Sequence, residues 1–147
     1  MIRLLPIFIS LLINQKTVSS INFGVVDLDT IWGRKPVYIS FWAIWCSNCV
    51  KELDRINKVK DSLGIFVIAV NEDGLRKSSN VLNFVRNRRW NFPVIIDDGQ
   101  SLMKAFGISA LPTSFLYSVD RKLLKKFTGF SEGDLKVIKE LLGEEKQ

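Results

Sequence analysis

Pro36-Val37-Tyr38-Ile39-Ser40-Phe41-Trp42-Ala43-Ile44-Trp45-Cys46-Ser47-Asn48-Cys49-Val50-Lys51-Glu52-Leu53 opens as a strand and closes as a helix. Residues 36–42 are largely β-branched and aromatic, which suits a strand buried on both faces. From residue 46 to 62 the period changes, and Cys49, Val50, Leu53, Ile56, Val59 and Leu63 fall along one helical stripe. Cys46 and Cys49, the chain's two cysteines, therefore stand as C-x-x-C at a strand-to-helix junction. There the unpaired N–H groups and the helix dipole stabilise a thiolate at the first position. Cys46 is expected to be the exposed nucleophile. Cys49, one turn in, is expected to be the shielded thiol that resolves a mixed disulfide. A structural staple closing so short a loop would restrict the unfolded chain by only ~2 kcal/mol, which favours a redox role. A zinc site would need two further soft ligands, and the chain has no histidine and no other cysteine.

Reading outward, Gly64 stops this helix and Ile65 to Val70 forms a second buried strand. Ser78 to Trp90 is expected to be a helix with Val81, Leu82 and Val85 inward and Arg86, Arg88 and Arg89 outward. A short strand (Phe92 to Ile96) and a short helix (Ser101 to Phe106) follow. Pro112 to Ser118 and Lys122 to Phe127 read as neighbouring strands around an Asp120-Arg121 turn. Ser131, with Asp134 three residues on, opens a last helix in capping-box fashion, and Leu135, Ile138, Leu141 and Leu142 face inward. The alternation gives an α/β domain, a central mixed sheet covered on both faces.

The chain has 147 residues, 47% hydrophobic and 24% charged, the profile of a single globular domain. The absence of histidine removes Ser-His-Asp and Cys-His nucleophiles and histidine acid–base catalysis. Chemistry must then run on thiols, carboxylates, amines or backbone. No cofactor and no metal is expected. The net charge of +6 is compatible with anionic partners but specifies none, and nucleic acid is not expected as one. The densest basic run, Arg86-Asn87-Arg88-Arg89, reads as a solvated helix face. At the start, Met1-Ile2-Arg3, the apolar Leu4 to Ile13 and the small Val18-Ser19-Ser20 have the order of a secretory signal. Residues 1–20 are thus expected to be a signal peptide or a membrane tether, with the domain at 21–147. No cysteine near Ser20 would support a lipoprotein anchor.

Two more residues bear on the chemistry. Glu52 falls inside the apolar stripe, where a carboxylate is costly without a task or a partner. It either exchanges protons with the neighbouring thiols or snorkels from the stripe's edge. Pro112 precedes a strand, where it lacks a ladder N–H; by itself this reads as a trans turn proline.

The segment Phe41 to Leu53 resembles the active-site segment of thioredoxin-fold proteins, and more closely that of the TlpA/ResA-like exported branch. The resemblance runs over roughly residues 30–142, including Ile68-Ala69-Val70-Asn71, Asn91-Phe92-Pro93-Val94 and Phe106-Gly107-Ile108 leading to Leu111-Pro112-Thr113. It implies a thioredoxin-like fold with an extra helix–strand insert near Asn83 to Ile96. Cys46 would be the attacking thiolate, Cys49 the resolving thiol, and Pro112 a cis-proline against the disulfide. Trp45, Ser47, Asn48 and Leu111 would meet the substrate, with the backbone at Leu111 pairing to it. Glu52 matches the branch's buried acid. Two departures stand out: Ser40 replaces the strand acid of ordinary thioredoxins, and Ser47-Asn48 lacks the usual proline between the cysteines. The family's N-terminal hairpin is expected to be abbreviated. The implied protein is a periplasmic or outer-face thiol–disulfide oxidoreductase with disulfide-containing client proteins and a membrane thiol electron carrier. Its clients would include apocytochrome c during cytochrome c maturation. A disulfide-forming oxidase or isomerase, a thiol peroxidase and a non-enzymatic binding module remain as rivals.

Overall fold

The computed structural model describes residues 14–146. The charged and apolar start of the expected export segment, Met1 to Ile13, lies outside the described residues. Among these the elements run β1 (Thr17–Ser20), β2 (Gly24–Asp27), β3 (Val37–Trp42), α1 (Ser47–Leu63), β4 (Phe66–Asn71) and α2 (Ser78–Asn87). Then follow β5 (Val94–Ile96), α3 (Ser101–Ala105), β6 (Thr113–Tyr117), β7 (Leu123–Thr128) and α4 (Gly133–Glu145).

Every residue of β3 is buried, and the strand sits in the middle of a sheet ordered β5-β4-β3-β6-β7. It is parallel to β4 and antiparallel to β6, so the sheet is mixed. Side chains alternate across a strand. Tyr38 and Trp42 join one apolar cluster, with Leu53 and Ile56 of α1, Val81 and Val85 of α2 and Ile138 and Leu142 of α4. Val37, Ile39 and Phe41 join the other, beneath Val18 of the hairpin, Trp32 and Phe106. Aromatic pairs stiffen each layer. Trp42 meets Trp90 edge-on with ring centres 5.0 Å apart, and across the sheet Phe41 meets Phe106 at 5.2 Å.

Helix α1 ends as expected, because Gly64 takes the left-handed conformation (φ 69°) and Ile65 N–H returns to the Lys60 carbonyl. Helix α2 is shorter than its periodicity predicts. It stops at Asn87, Arg89 turns left-handed (φ 57°), and Trp90 folds back into the core, 5% exposed. Burial of that indole outweighs the three residues of helical pattern, 88–90, that would have continued the helix. The basic run stays exposed, as expected, but Arg88 is not free: its guanidinium forms an ion pair with Asp54 on α1, which also accepts from Trp90 Nε1 at 2.8 Å. Half of the expected capping box forms. Asp134 accepts the Ser131 N–H at 2.9 Å, while the Asp134 N–H goes to the Ser131 carbonyl rather than its hydroxyl.

At the other end, the boundary expected after Ser20 cuts through a hairpin. Thr17–Ser20 pair along their length with Gly24–Asp27, and Val18 is 6% exposed. The hairpin is short, and the Asn22 carboxamide ties it to the edge of β5 through Phe92 O and Val94 N at 2.9 Å each.

Candidate active site

Strand register gathers three loops at one end of the sheet. Trp42, the last residue of β3, lies beside Asn71 of β4, and Phe41 lies opposite Thr113 at the start of β6. The cysteine segment, the Asn71-Glu72-Asp73 loop and Leu111-Pro112 therefore meet there. This is the carboxyl end of the parallel strands, where α/β sheets place their sites.

Cys46 and Cys49 form a disulfide with Cα atoms 5.2 Å apart. Cys46 is the N-cap of α1, and its sulfur accepts the Cys49 N–H at 3.2 Å. A first-turn N–H is thus already aimed at that sulfur, and no acidic side chain in the turn opposes a negative charge on it. Cys46 is 9% exposed, less open than the exposed position expected of it, and Cys49 is fully buried. Trp45 projects beside them at 71% exposure, and Ser47 and Asn48 are also exposed.

Glu52 lies one turn further along α1 and is completely buried, which excludes the snorkelling alternative. Tyr38, Ser40 and Trp42 share the α1 side of β3, and Ser114 is the register partner of Ser40 on β6. The Ser40 hydroxyl donates to Glu52 Oε1, and the Ser114 hydroxyl lies 3.1 and 3.0 Å from its two oxygens. Burial pushes the Glu52 carboxyl up to about 7, although the hydroxyls of Ser40, Ser114 and Tyr38 pull the other way. The acid thus sits where it can take or give a proton at neutral pH.

The Leu111–Pro112 peptide bond is cis, and Pro112 is buried with its carbonyl accepting the Gly129 N–H at 2.8 Å. Leu111 is half-buried and packs on the cluster that holds Cys46 and Cys49.

Sequence reasoning missed Ser114 and Asp73. Nothing local marks Ser114, which matters only through its pairing with Ser40. Asp73 accepts the Ile44 N–H at 2.8 Å and the Asn71 Nδ2 at 2.7 Å, and its own N–H goes to Asn71 Oδ1. It thereby pins the backbone two residues before Cys46 to the end of β4. An Asn-x-Asp at a strand end is an Asx-turn signal that could have flagged it. Among the described residues no group of three or more His, Cys, Asp or Glu could hold a metal ion.

With this geometry the chain has the thioredoxin-like α/β fold. A thiol:disulfide interchange protein of the thioredoxin family from Chlorobium tepidum superposes with a TM-score of 0.73 over 86% of this chain and 91% of that one, at 20% identity. The exposed lipoprotein thioredoxin of Streptococcus pneumoniae is 28% identical, with a TM-score of 0.65 over 84% and 97% of the two chains. The Redoxin family model matches residues 18–142, and the chain belongs to that family. It is 36% identical over 118 residues to the thiol-disulfide oxidoreductase ResA of Bacillus thuringiensis subsp. konkukian. That match covers 74% of this chain and 66% of ResA, so the chain spans just under two-thirds of that relative's length.

Proposed function

We propose that the protein is an exported thiol–disulfide oxidoreductase that reduces disulfides in client proteins. The observation that carries this is the Cys46–Cys49 pair at the mouth of α1, with a helix N–H on the first sulfur and a neutral-range acid buried beneath it. In the dithiol form, the Cys46 thiolate attacks a client disulfide. One client sulfur becomes bonded to Cys46 and the other leaves as a thiolate. Cys49 gives its proton to Glu52 and attacks Cys46, which re-forms the Cys46–Cys49 bond and frees the second client thiol. Two electrons have passed to the client, and a membrane thiol carrier restores the dithiol. Pro112 and Leu111 border the client on one side of the disulfide, with Trp45, Ser47 and Asn48 on the other.

Similarity to ResA, a thiol-disulfide oxidoreductase, supports thiol–disulfide exchange as the chemistry, and the haem-attachment cysteines of an apocytochrome c are clients of suitable chemistry. We place the protein on the outer face of the cytoplasmic membrane, with the segment ahead of β1 as its address and the catalytic domain beginning at the hairpin, before the boundary expected after Ser20. Because β1 begins at Thr17, retention of the segment as a tether keeps the hairpin whole, whereas cleavage after Ser20 would strip β1 from β2. Among the described residues no helix is long and apolar enough to cross a membrane. The test is a Cys49→Ala variant expressed in the native host: clients should accumulate as adducts through Cys46. Equilibration with glutathione should give a reducing potential; a value near about −120 mV would instead mark a disulfide-forming oxidase.

A further inference from the structure

A groove of about 470 Å³ opens beside the cysteine segment, between Ile44-Trp45 and helix α2. Trp45 and Phe84 give it an apolar wall, and Asn80, Asn83 and Asn87 line it with carboxamides. These three stand at i, i+3 and i+7, so they form one stripe along a helix of 10 residues whose opposite face buries Val81 and Val85. Asparagine is a weak helix former, so three on one face work against the helix that carries them. No hydrogen bond among the described residues takes up their carboxamides, and all three are exposed. The stripe therefore lowers local stability and returns no hydrogen bond among the described residues. Each carboxamide offers one acceptor and two donors, which match the N–H and C=O of a passing peptide backbone.

We propose that this groove binds the extended polypeptide segment that flanks the client's target cysteine, read through its backbone by Asn80, Asn83 and Asn87. This rests on the oxidoreductase reading above and adds the surface that selects polypeptide over small disulfides. The occupant follows from continuity with the reacting sulfur. Trp45 belongs to the groove wall and is bonded to Cys46, so a client sulfur joined to Cys46 delivers its neighbouring residues to this wall. Each further residue of extended chain advances roughly 3.3 Å along α2. The three carboxamides are sequence-tolerant readers, because backbone groups are the same at every position of a client, while Asp73 and Lys77 also line the groove.

The test compares wild type with the Asn80→Ala/Asn83→Ala/Asn87→Ala variant as reductants of insulin, a polypeptide disulfide, and of cystamine, a small one. Alanine is the better helix former at these exposed positions, so the variant should fold and melt no lower than wild type. The insulin rate should fall about tenfold, the loss of a few modest hydrogen bonds, while the cystamine rate stays within about twofold. The reduction potential should not move. An insulin rate that is unchanged, or that falls in step with the cystamine rate, overturns the groove and leaves the oxidoreductase intact. A wild-type protein that reduces neither disulfide overturns both.

Discussion

Glu52, beneath the disulfide, and Glu72, just past the end of β4, are carboxyls with almost no exposed surface, 0% and 6%. Both belong to the same end of the sheet, since the Glu72 N–H donates to the Trp42 carbonyl at 2.9 Å. Their surroundings answer burial in opposite ways. Glu52 meets hydroxyls, from Ser40 and Ser114, that can donate to its charge. The oxygens of Glu72 meet no donor, and its neighbour is the Asp97 carboxylate, whose own oxygens already accept the Leu102 and Met103 N–H groups at 2.9 Å. Burial, then Asp97, pushes Glu72 up to about 9, whereas Glu52 stops at about 7. Two similar acids are thus assigned different work. Glu72 keeps its proton at neutral pH and can donate it to Asp97, and Glu52 titrates in the range that the proton transfer proposed for Cys49 needs.

The largest separation between them should appear in exchange kinetics. Glu52→Gln, which keeps the shape but cannot ionise, should slow insulin reduction at pH 7 by at least about a hundredfold, the usual scale for removing a general base. It should also erase the inflection near pH 7 from the rate profile. Glu72→Gln should leave rate and profile within about twofold of wild type. Equal losses in the two variants would mean that both acids serve the fold alone.

Stability against pH should reverse their ranking. A folded-state value above the ordinary 4.5 means that the folded protein binds the extra proton. The corresponding stability is whole below pH 4.5 and is lost as pH rises, until about 7 for Glu52 and about 9 for Glu72. Between pH 7 and 9 the continuing loss belongs to Glu72. In urea titrations Glu72→Gln should flatten that limb by on the order of 2 kcal/mol, and Glu52→Gln should leave it in place.

The difference between the two acids was only half legible in the sequence. Glu52 could be placed on the buried stripe because α1 is long and periodic, and C-x-x-C at its start marked the chemistry. The Ser40-for-acid exchange was visible too, but its meaning depends on Ser114, which lies 74 residues away and is joined to Ser40 only by the β3–β6 register. Glu72 was invisible for the same kind of reason. Asn71-Glu72-Asp73-Gly74 reads as a polar strand exit, and nothing local says that Asp97 returns against it. The Trp90 fold-back was hidden likewise: helical spacing ran on through residue 90, and the pull of Trp42 came from β3, a distant strand. Local periodicity exposed the elements, and long-range pairing set the electrostatics.

Ser114→Ala sharpens the comparison by making Glu52 more like Glu72. The substitution removes the one hydroxyl donor that lies within reach of both carboxylate oxygens, at a fully buried position. With one of its charge-stabilising hydroxyls gone, Glu52 should titrate higher, and the inflection in the exchange profile should move up by about one pH unit. Ser40→Ala should move it the same way. An inflection that stays put would mean that burial alone sets the acid's range and that the hydroxyls serve packing.

The smallest effect should come from a carboxylate of the opposite kind. Asp54 sits at the surface, and the hydrogen bonds from the Arg88 guanidinium, aided by the Trp90 indole, hold its carboxyl below the ordinary 3.8. Here the charged form is favoured in the folded state. The stability it lends is present at neutral pH and is lost as pH falls below 3.8, the reverse of both buried acids. Both partners are about one-third exposed, so water and salt screen the pair. Arg88→Ala should therefore cost about 0.5 kcal/mol at pH 7 and less at high salt. A cost of several kcal/mol would show that this pair, rather than the packing of Trp90 on Trp42 of β3, fixes the chain at the end of α2.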